Sequence, residues 1–354
     1  MEEPDPNTIT GYSISVILSF ILIGVLILPA CTSRLDCATT KVICAGLVTD
    51  TGSIDDFGLN QGAWEGLQDA LLEHTIHHAE YIESSELRDY IKNIEYFTDR
   101  DFDIILTVGM GQRLETQQAA ENYPAVQFVG IDQTYNENMS NLHAILFQDA
   151  QMGYFAGAVA VMLTKTSLVG AVCESSEIDR IRQKCEGFRL GASSCGEMCQ
   201  LRPDQTIEVL VRYREDEDPD LLFNDPEWAE KVTRELIHRG VDVLFAVGGG
   251  TGQGAIRAAA DSEVYTIGTE KDQWFALPEA RMSLLTSVYG DSRQAVRDWI
   301  SASSSGRQPT RIEASFVYAP FHDLESAQSL GMVQMINRII FYLDNGTIKV
   351  PNFP

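Results

Sequence analysis

Val42-Ile43-Cys44-Ala45-Gly46-Leu47-Val48, then Thr49-Asp50-Thr51-Gly52-Ser53-Ile54-Asp55-Asp56-Phe57-Gly58-Leu59-Asn60, then an amphipathic run to Leu72, decide the fold class. The first seven residues are apolar with no period-two alternation, the pattern of a strand covered on both faces. The following turn is rich in Thr, Ser, Gly and Asp, residues that satisfy their own backbone locally. Asp56 stands where a cap is needed for a predicted helix Asn60–Leu72. A buried strand, a polar turn and a helix form the front half of a βαβ unit.

Working outward, the unit recurs. Strands are predicted at Ile104–Val108, Val126–Ile131, Leu168–Val172, Ile207–Val211, Val241–Val247 and Val264–Ile267. Helices are predicted near Leu114–Asn122, Gly153–Leu163, Ile178–Leu190, Pro226–His238, Gly254–Ala260 and Ala327–Leu343. This alternation predicts an α/β protein with parallel sheets. A chain of 354 residues exceeds what one core usually holds. Its halves show a similar order of elements without an obvious sequence repeat. Two doubly wound, Rossmann-like lobes with a cleft at the carboxyl ends of their strands are expected.

The first 36 residues read as an address. Ile14–Ala30 is almost continuously apolar, and Leu28-Pro29-Ala30-Cys31 closes it. A small residue and Cys after such a run resemble a lipobox, in which residues 1–30 are a signal peptide, Cys31 carries lipid, and residues 31–40 are a tether. The alternative is an uncleaved anchor helix, since Met1–Thr8 has acids but no Lys or Arg. Both readings put the body outside the cytoplasm on a membrane. The formal net charge of -25 repels phosphate backbones, so nucleic acid is not an expected partner.

Six further cysteines permit disulfides in an oxidising compartment. Cys195 and Cys199, in a Gly-Ser-rich turn, are the expected pair, whereas Cys44 reads as a small buried hydrophobe inside a strand. Zinc lacks a CxxC or paired-His partner set, so no metal is expected. His74, His77 and His78 read as a solvated helix end, and Glu215-Asp216-Glu217-Asp218 as a solvated loop. Trp64 and Trp299 read as packing residues, and Trp274 as a packing residue or a rim of the cleft.

Three polar constellations lie at strand ends. The turn from Asp50 to Asn60 offers carboxylates and an amide to a polar ligand, or it is loop and cap alone. Val247-Gly248-Gly249-Gly250-Thr251-Gly252-Gln253-Gly254 lets a backbone approach a ligand closely. Within it Gly250, Gly252 and Ala255 fit GxGxxA, with Glu270 about 20 residues on, the outline of a dinucleotide fingerprint. Phe223-Asn224-Asp225-Pro226 is a helix start, its aromatic either core or a stacking platform.

In order along the chain, VTDTGSIDDFGLNQGAWEGL, FQDAQMGYFAG, FNDPEWAEK, VDVLFAVGGGTGQG, IGTEKDQ and LTSV resemble the basic membrane protein family. Its members are substrate-binding lipoproteins of ABC importers, purine nucleoside receptors among them. The resemblance implies a type I periplasmic-binding-protein fold with a hinge. It implies a first lobe of residues 41–148 plus about 268–305, and a second of 149–267 plus about 306–354. It assigns ligand contacts to Asp50, Leu59, Asn60, Asp132, Phe223, Gly249, Gly250, Thr251 and Glu270, with no catalytic residue and no cofactor.

Three positions depart from the nucleoside-receptor pattern: Leu59 stands for an aromatic, Glu270 for an Asp, and Gly290 for a lysine. The expected function is extracytoplasmic capture of a small polar solute, a purine nucleoside foremost, by a monomer that docks on an ABC permease. A ligand sensor with a membrane signalling partner and an NAD-dependent enzyme are the competing readings.

Overall fold

The computed structural model describes residues 37–38, 41–199, 205–215, 218, 221–322 and 329–354. The apolar run Ile14–Ala30, Cys31, most of the expected tether, and Asp216 and Glu217 of the acidic run lie outside the described residues. Among the described residues, no helix is long and apolar enough to cross a membrane.

In chain order the strands are β1 (Cys44–Val48), β2 (His78–Ile82), β3 (Ile104–Val108), β4 (Gln127–Ile131), β5 (Leu142–Phe147), β6 (Leu168–Cys173), β7 (Glu208–Tyr213), β8 (Val243–Val247), β9 (Tyr265–Thr269), β10 (Leu284–Gly290), β11 (Arg311–Ala314) and β12 (Phe316–Tyr318). The helices are α1 (Leu59–Leu72), α2 (Asp89–Thr98), α3 (Arg113–Asn122), α4 (Asp149–Leu163), α5 (Asp179–Ser194), α6 (Pro226–His238), α7 (Gly249–Asp261), α8 (Gln273–Ala276), α9 (Ser292–Ser304) and α10 (Leu330–Asp344).

Two six-stranded sheets result. One has the order β11-β5-β4-β3-β1-β2 and the other β12-β10-β9-β8-β6-β7. The first is wholly parallel. The second is parallel except where β12 runs against β10. The two orders superimpose strand for strand, β1 on β6 through β5 on β10, so the similar halves of the sequence are two copies of one topology. The continuous apolar strands are fully buried, as in β1, β3 and β8.

The chain passes between the sheets at Phe147–Asp149, Gly290–Ser292 and Ala314–Phe316. These crossings are tied together: Gln148 N–H donates to the Ala314 carbonyl at 3.2 Å and Asp291 N–H to the Ser315 carbonyl at 3.1 Å. They form the hinge. The sheet pairing redraws the expected lobe boundaries. β9 and β10, as far as Gly290, belong to the second sheet, and of residues 268–305 it is α9 that packs on α1. Likewise β11 returns to the first sheet. Hydrophobic periodicity locates a strand, but hydrogen-bond partners decide which sheet receives it.

α4 is apolar around nearly its whole circumference, and most of it is buried, as expected of a helix without a polar face. It lies unusually close to α5. A Cβ on Gly153 would lie 1.9 Å from the Lys184 carbonyl oxygen, and one on Gly187 would lie 2.2 Å from that of Ala150. The glycines of GYFAG and EGFRLG therefore allow backbone-to-backbone contact.

Disulfides join Cys37–Cys44, Cys173–Cys185 and Cys195–Cys199. The expected Cys195–Cys199 pair is present. Cys44 differs from its expectation: it is fully buried, as foreseen, but bonded to Cys37, which the turn before β1 brings back to it.

Candidate functional site

The loop after β1 is built around Asn60, which is buried in the first turn of α1. Its Nδ2 donates to Asp50 Oδ1 at 2.8 Å and to the Ser53 carbonyl at 3.3 Å, and its Oδ1 accepts from the Asp50 N–H at 3.3 Å. Asp50 and Asn60 thus form a reciprocal hydrogen-bonded pair. Asp56 does cap α1, from two residues upstream of the cap position. Its Oδ1 accepts from Gly58 N–H at 2.8 Å and Gln61 N–H at 3.1 Å, and its Oδ2 from Asn60 N–H at 3.3 Å. Burial pushes the Asp50 carboxyl above its ordinary range against the Asn60 hydrogen bond, and the nearby Asp56 and Glu270 charges push the same way. Leu59 is half-buried against the apolar core, and its carbonyl accepts from Ser292 Oγ at 3.1 Å.

In the second lobe, Phe223, Gly249, Gly250, Thr251 and Glu270 come together. Gly250 N–H donates to the Phe223 carbonyl at 2.7 Å, and Gly249 N–H donates to Glu270 Oε1 at 2.9 Å. The group rests on Glu174, a residue the sequence reading passed over. Glu174 is fully buried. Its Oε2 accepts from Phe223 N–H at 3.0 Å and from the Thr251 hydroxyl at 2.7 Å, and its Oε1 takes Arg214 Nε at 2.5 Å. Glu174 directly follows β6, so the rule that drew attention to polar residues at strand ends had the means to find it.

Asp132 follows β4 and Glu270 follows β9, equivalent strands of the two lobes. Both adopt the left-handed region, at φ 68 and 74, as do Phe57 at φ 55 and Phe223 at φ 60. Non-glycine residues held there concentrate at binding sites, where surrounding contacts impose the conformation. Asp132 is met from the other lobe by Arg180 Nη1. Arg180 Nε also donates to Asp149 Oδ2 at 2.7 Å, and Lys184 Nζ reaches Asp149 Oδ1 at 2.5 Å. Burial raises the Asp149 carboxyl and lowers the Lys184 amine, each opposed by their mutual attraction, and the Glu270 charge also steadies Lys184.

The lobes meet between these groups. Gly58 bridges Lys271, Asp272 N–H donates to the Phe57 carbonyl at 2.9 Å, and the Phe57 and Phe275 rings stack at 4.5 Å. The ring that joins the lobes is therefore Phe275. Its neighbour Trp274 stacks on His322 at 4.4 Å and lies under Arg281. A cavity of about 470 Å³ opens on the hinge side of Arg180, lined by Phe147, Gln148, Asp149, Arg180, Arg311 and Glu313 among others.

Other expectations resolve locally. His77 Nδ1 accepts from Ile43 N–H at 3.0 Å, so it is a structural contact at the start of β1. Trp299 is buried and donates to the Pro309 carbonyl at 3.3 Å, and Trp64 packs edge-on to Tyr81. The dinucleotide reading of the glycine segment differs from the structure, because α7 already begins at Gly249 and Gly250, Gly252 and Ala255 are helical. A dinucleotide fingerprint places its first glycine in the turn.

The profile of the Bmp family, described as ABC transporter substrate-binding protein PnrA-like, matches residues 43–307. The chain belongs to the Bmp family. The CD4+ T-cell-stimulating antigen of Listeria monocytogenes is 30% identical over 276 residues, 73% of this chain and 72% of that protein. The ABC transporter nucleoside-binding protein BmpA of Lactococcus lactis is 27% identical over 241 residues, 65% of this chain and 64% of that protein.

An ABC transporter solute-binding protein from Conexibacter woesei has a TM-score of 0.66 at 17% identity, covering 88% of this chain and 99% of that one. One from Aeropyrum pernix has a TM-score of 0.64 at 17% identity, covering 88% and 94%. These neighbours give the fold, a type I periplasmic-binding-protein fold. As a Bmp member the chain is an ABC transporter substrate-binding protein and not an enzyme; its partners are a small-molecule ligand and an ABC permease.

Proposed function

We propose that this Bmp protein works outside the cytoplasmic membrane, anchored through lipid on Cys31, as the monomeric receptor of an importer that carries a purine nucleoside. The observation that carries the ligand reading is the seating of Phe223. Its backbone is fixed on both sides, N–H to Glu174 and carbonyl to Gly250, and its ring, half-buried against the core, would offer its outer face to a stacked base. The Asp50–Asn60 pair, Asp132 and Glu270 supply acceptors and an amide for ring N–H groups and sugar hydroxyls. The name of the Lactococcus lactis relative, a nucleoside-binding protein, supports the same class.

The mechanism follows from the hinge. A ligand bridging the two lobes stabilises the closed arrangement by whatever it gains there over the open one. Closure excludes water, so each polar contact strengthens. No proton or bond is transferred. Calorimetric titration of the full chain in detergent with adenosine, guanosine, inosine and the pyrimidine nucleosides tests the reading. Saturable heat with a purine nucleoside is expected, and no heat with any nucleoside overturns it.

A further inference from the structure

Arg180 joins the lobes where the ligand is expected. It lies in the first turn of α5 in the second lobe and reaches the Asp132 carboxylate of the first. A guanidinium has five N–H donors in one plane. Nε is committed to Asp149 and Nη1 faces Asp132, and neither contact uses Nη2. Although burial pulls Arg180 down to about 10, it remains charged at neutral pH.

The hinge explains why the cation comes from α5. At residue 290, at the end of β10, a Cβ would lie 2.4 Å from the Phe147 ring, so no side chain fits there. The Phe147 ring fills that direction, and the Arg180 guanidinium lies 6.0 Å from its centroid. α5 is itself held rigidly. The Cys173–Cys185 disulfide ties it to the end of β6, and the glycine contacts lock it on α4, which carries Asp149.

We propose that Arg180 is a specificity-determining residue: paired with Asp132 across the cleft, it reads a vicinal diol of the ligand. The guanidinium donates to one hydroxyl while the carboxylate accepts from its neighbour. A hydroxyl both donates and accepts, so two adjacent hydroxyls match an adjoining donor and acceptor. The two charges pair with each other whether or not ligand is bound, but a ligand lacking the hydroxyls leaves Nη2 and the spare carboxylate acceptor sites without partners, which gives discrimination. The inference rests on the nucleoside reading and deepens it, by selecting ribonucleosides over their 2′,3′-dideoxy counterparts.

The test compares the full-length chain with Arg180→Lys, Arg180→Met and the double variant Asp132→Asn/Arg180→Met, by titration with inosine and 2′,3′-dideoxyinosine. The double variant removes both charges, which avoids a fold defect from one orphaned charge, and far-UV circular dichroism checks each chain. The wild type is expected to favour inosine by at least about tenfold. Arg180→Lys keeps the charge and loses the planar fork, so it is expected to lose most of the preference; the folded Met variants are expected to bind the two ligands within about threefold of each other. A preference unchanged in every folded variant overturns this inference and leaves the nucleoside reading standing. A wild type that binds neither ligand nor any other nucleoside overturns both.

Discussion

Phe57 of the first lobe lies flat on Phe275 of the second, with ring centroids 4.5 Å apart and planes 16° from parallel. Each ring is about two-fifths exposed, so the stack is a clasp at the rim, outside the buried carboxylates. Opening the hinge separates the rings. An aromatic pair is worth about 1 kcal/mol beyond its burial. Phe57→Ala and Phe275→Ala are therefore each expected to weaken ligand binding by roughly fivefold. They are also expected to increase the radius of gyration of the unliganded chain in X-ray scattering. Unchanged affinity and radius in both variants would show that the clasp does not contribute to closure.

Glu174 holds Phe223 and Thr251 and neutralises Arg214, and both ion-pair partners are almost wholly buried. Removing one member of such a pair costs about 3–5 kcal/mol, because the other charge stays buried. Glu174→Gln is expected to lower stability by about that amount in urea unfolding. Glu174→Gln/Arg214→Met is expected to recover much of it. Ligand affinity should stay low in both, since a carboxamide also donates and disturbs the acceptors used by Phe223 N–H and the Thr251 hydroxyl. Recovery of affinity together with stability would sink this assignment.

Gly153 faces the backbone of α5, and the atom in the way is the carbonyl oxygen of Lys184. Backbone in a packed helix cannot move aside as a flexible side chain does. Gly153→Ala is expected to cost about 3 kcal/mol or more, beyond its helix-propensity gain of ~1 kcal/mol. An alanine variant with wild-type thermal stability would show that the two helices have room to separate.

The raised Asp50 carboxyl predicts a pH dependence. Its folded pKa lies above its ordinary value of 3.8. Over the interval from that value up to the folded pKa, the folded chain binds the proton more tightly than the unfolded chain. Asp50 therefore contributes most stability at low pH and loses that contribution as pH rises through the folded value. Asp50→Asn removes this term, so it is expected to be more heat-stable than wild type at pH 7, with the gap closing on acidification towards pH 4. It should bind ligand more weakly throughout. A gap that widens on acidification would contradict the burial argument.

Local chemistry made part of the site visible early. Asp50, Asp132, Gly249 and Glu270 lie just past the ends of strands whose apolar runs are plain, where cleft-facing polar residues collect, and Asn60 and Phe223 lie at or just before the starts of helices. Arg180, Lys184 and Asp149 gave no such signal. In sequence they are charged residues in the first two turns of helices, ordinary for a solvated face. What buries them is the close crossing of α4 on α5, which makes Asp149, Arg180 and Lys184 neighbours. β10, whose run Leu284–Gly290 mixes Thr, Ser and Gly with apolar residues, is recognisable only from its partners β9 and β12.

The sequence by itself determined the alternation of buried strands and helices, the glycines and caps that punctuate it, and thereby a doubly wound α/β chain with polar residues at its strand ends. These follow from side-chain period and backbone restriction, which act over a few residues. Tertiary structure alone decided which sheet each late strand joins, that Cys44 pairs with Cys37, and that Arg180 of one lobe faces Asp132 of the other. Those contacts join residues far apart in the chain or set by its path in space, and their energies depend on burial and on partners that no local pattern encodes.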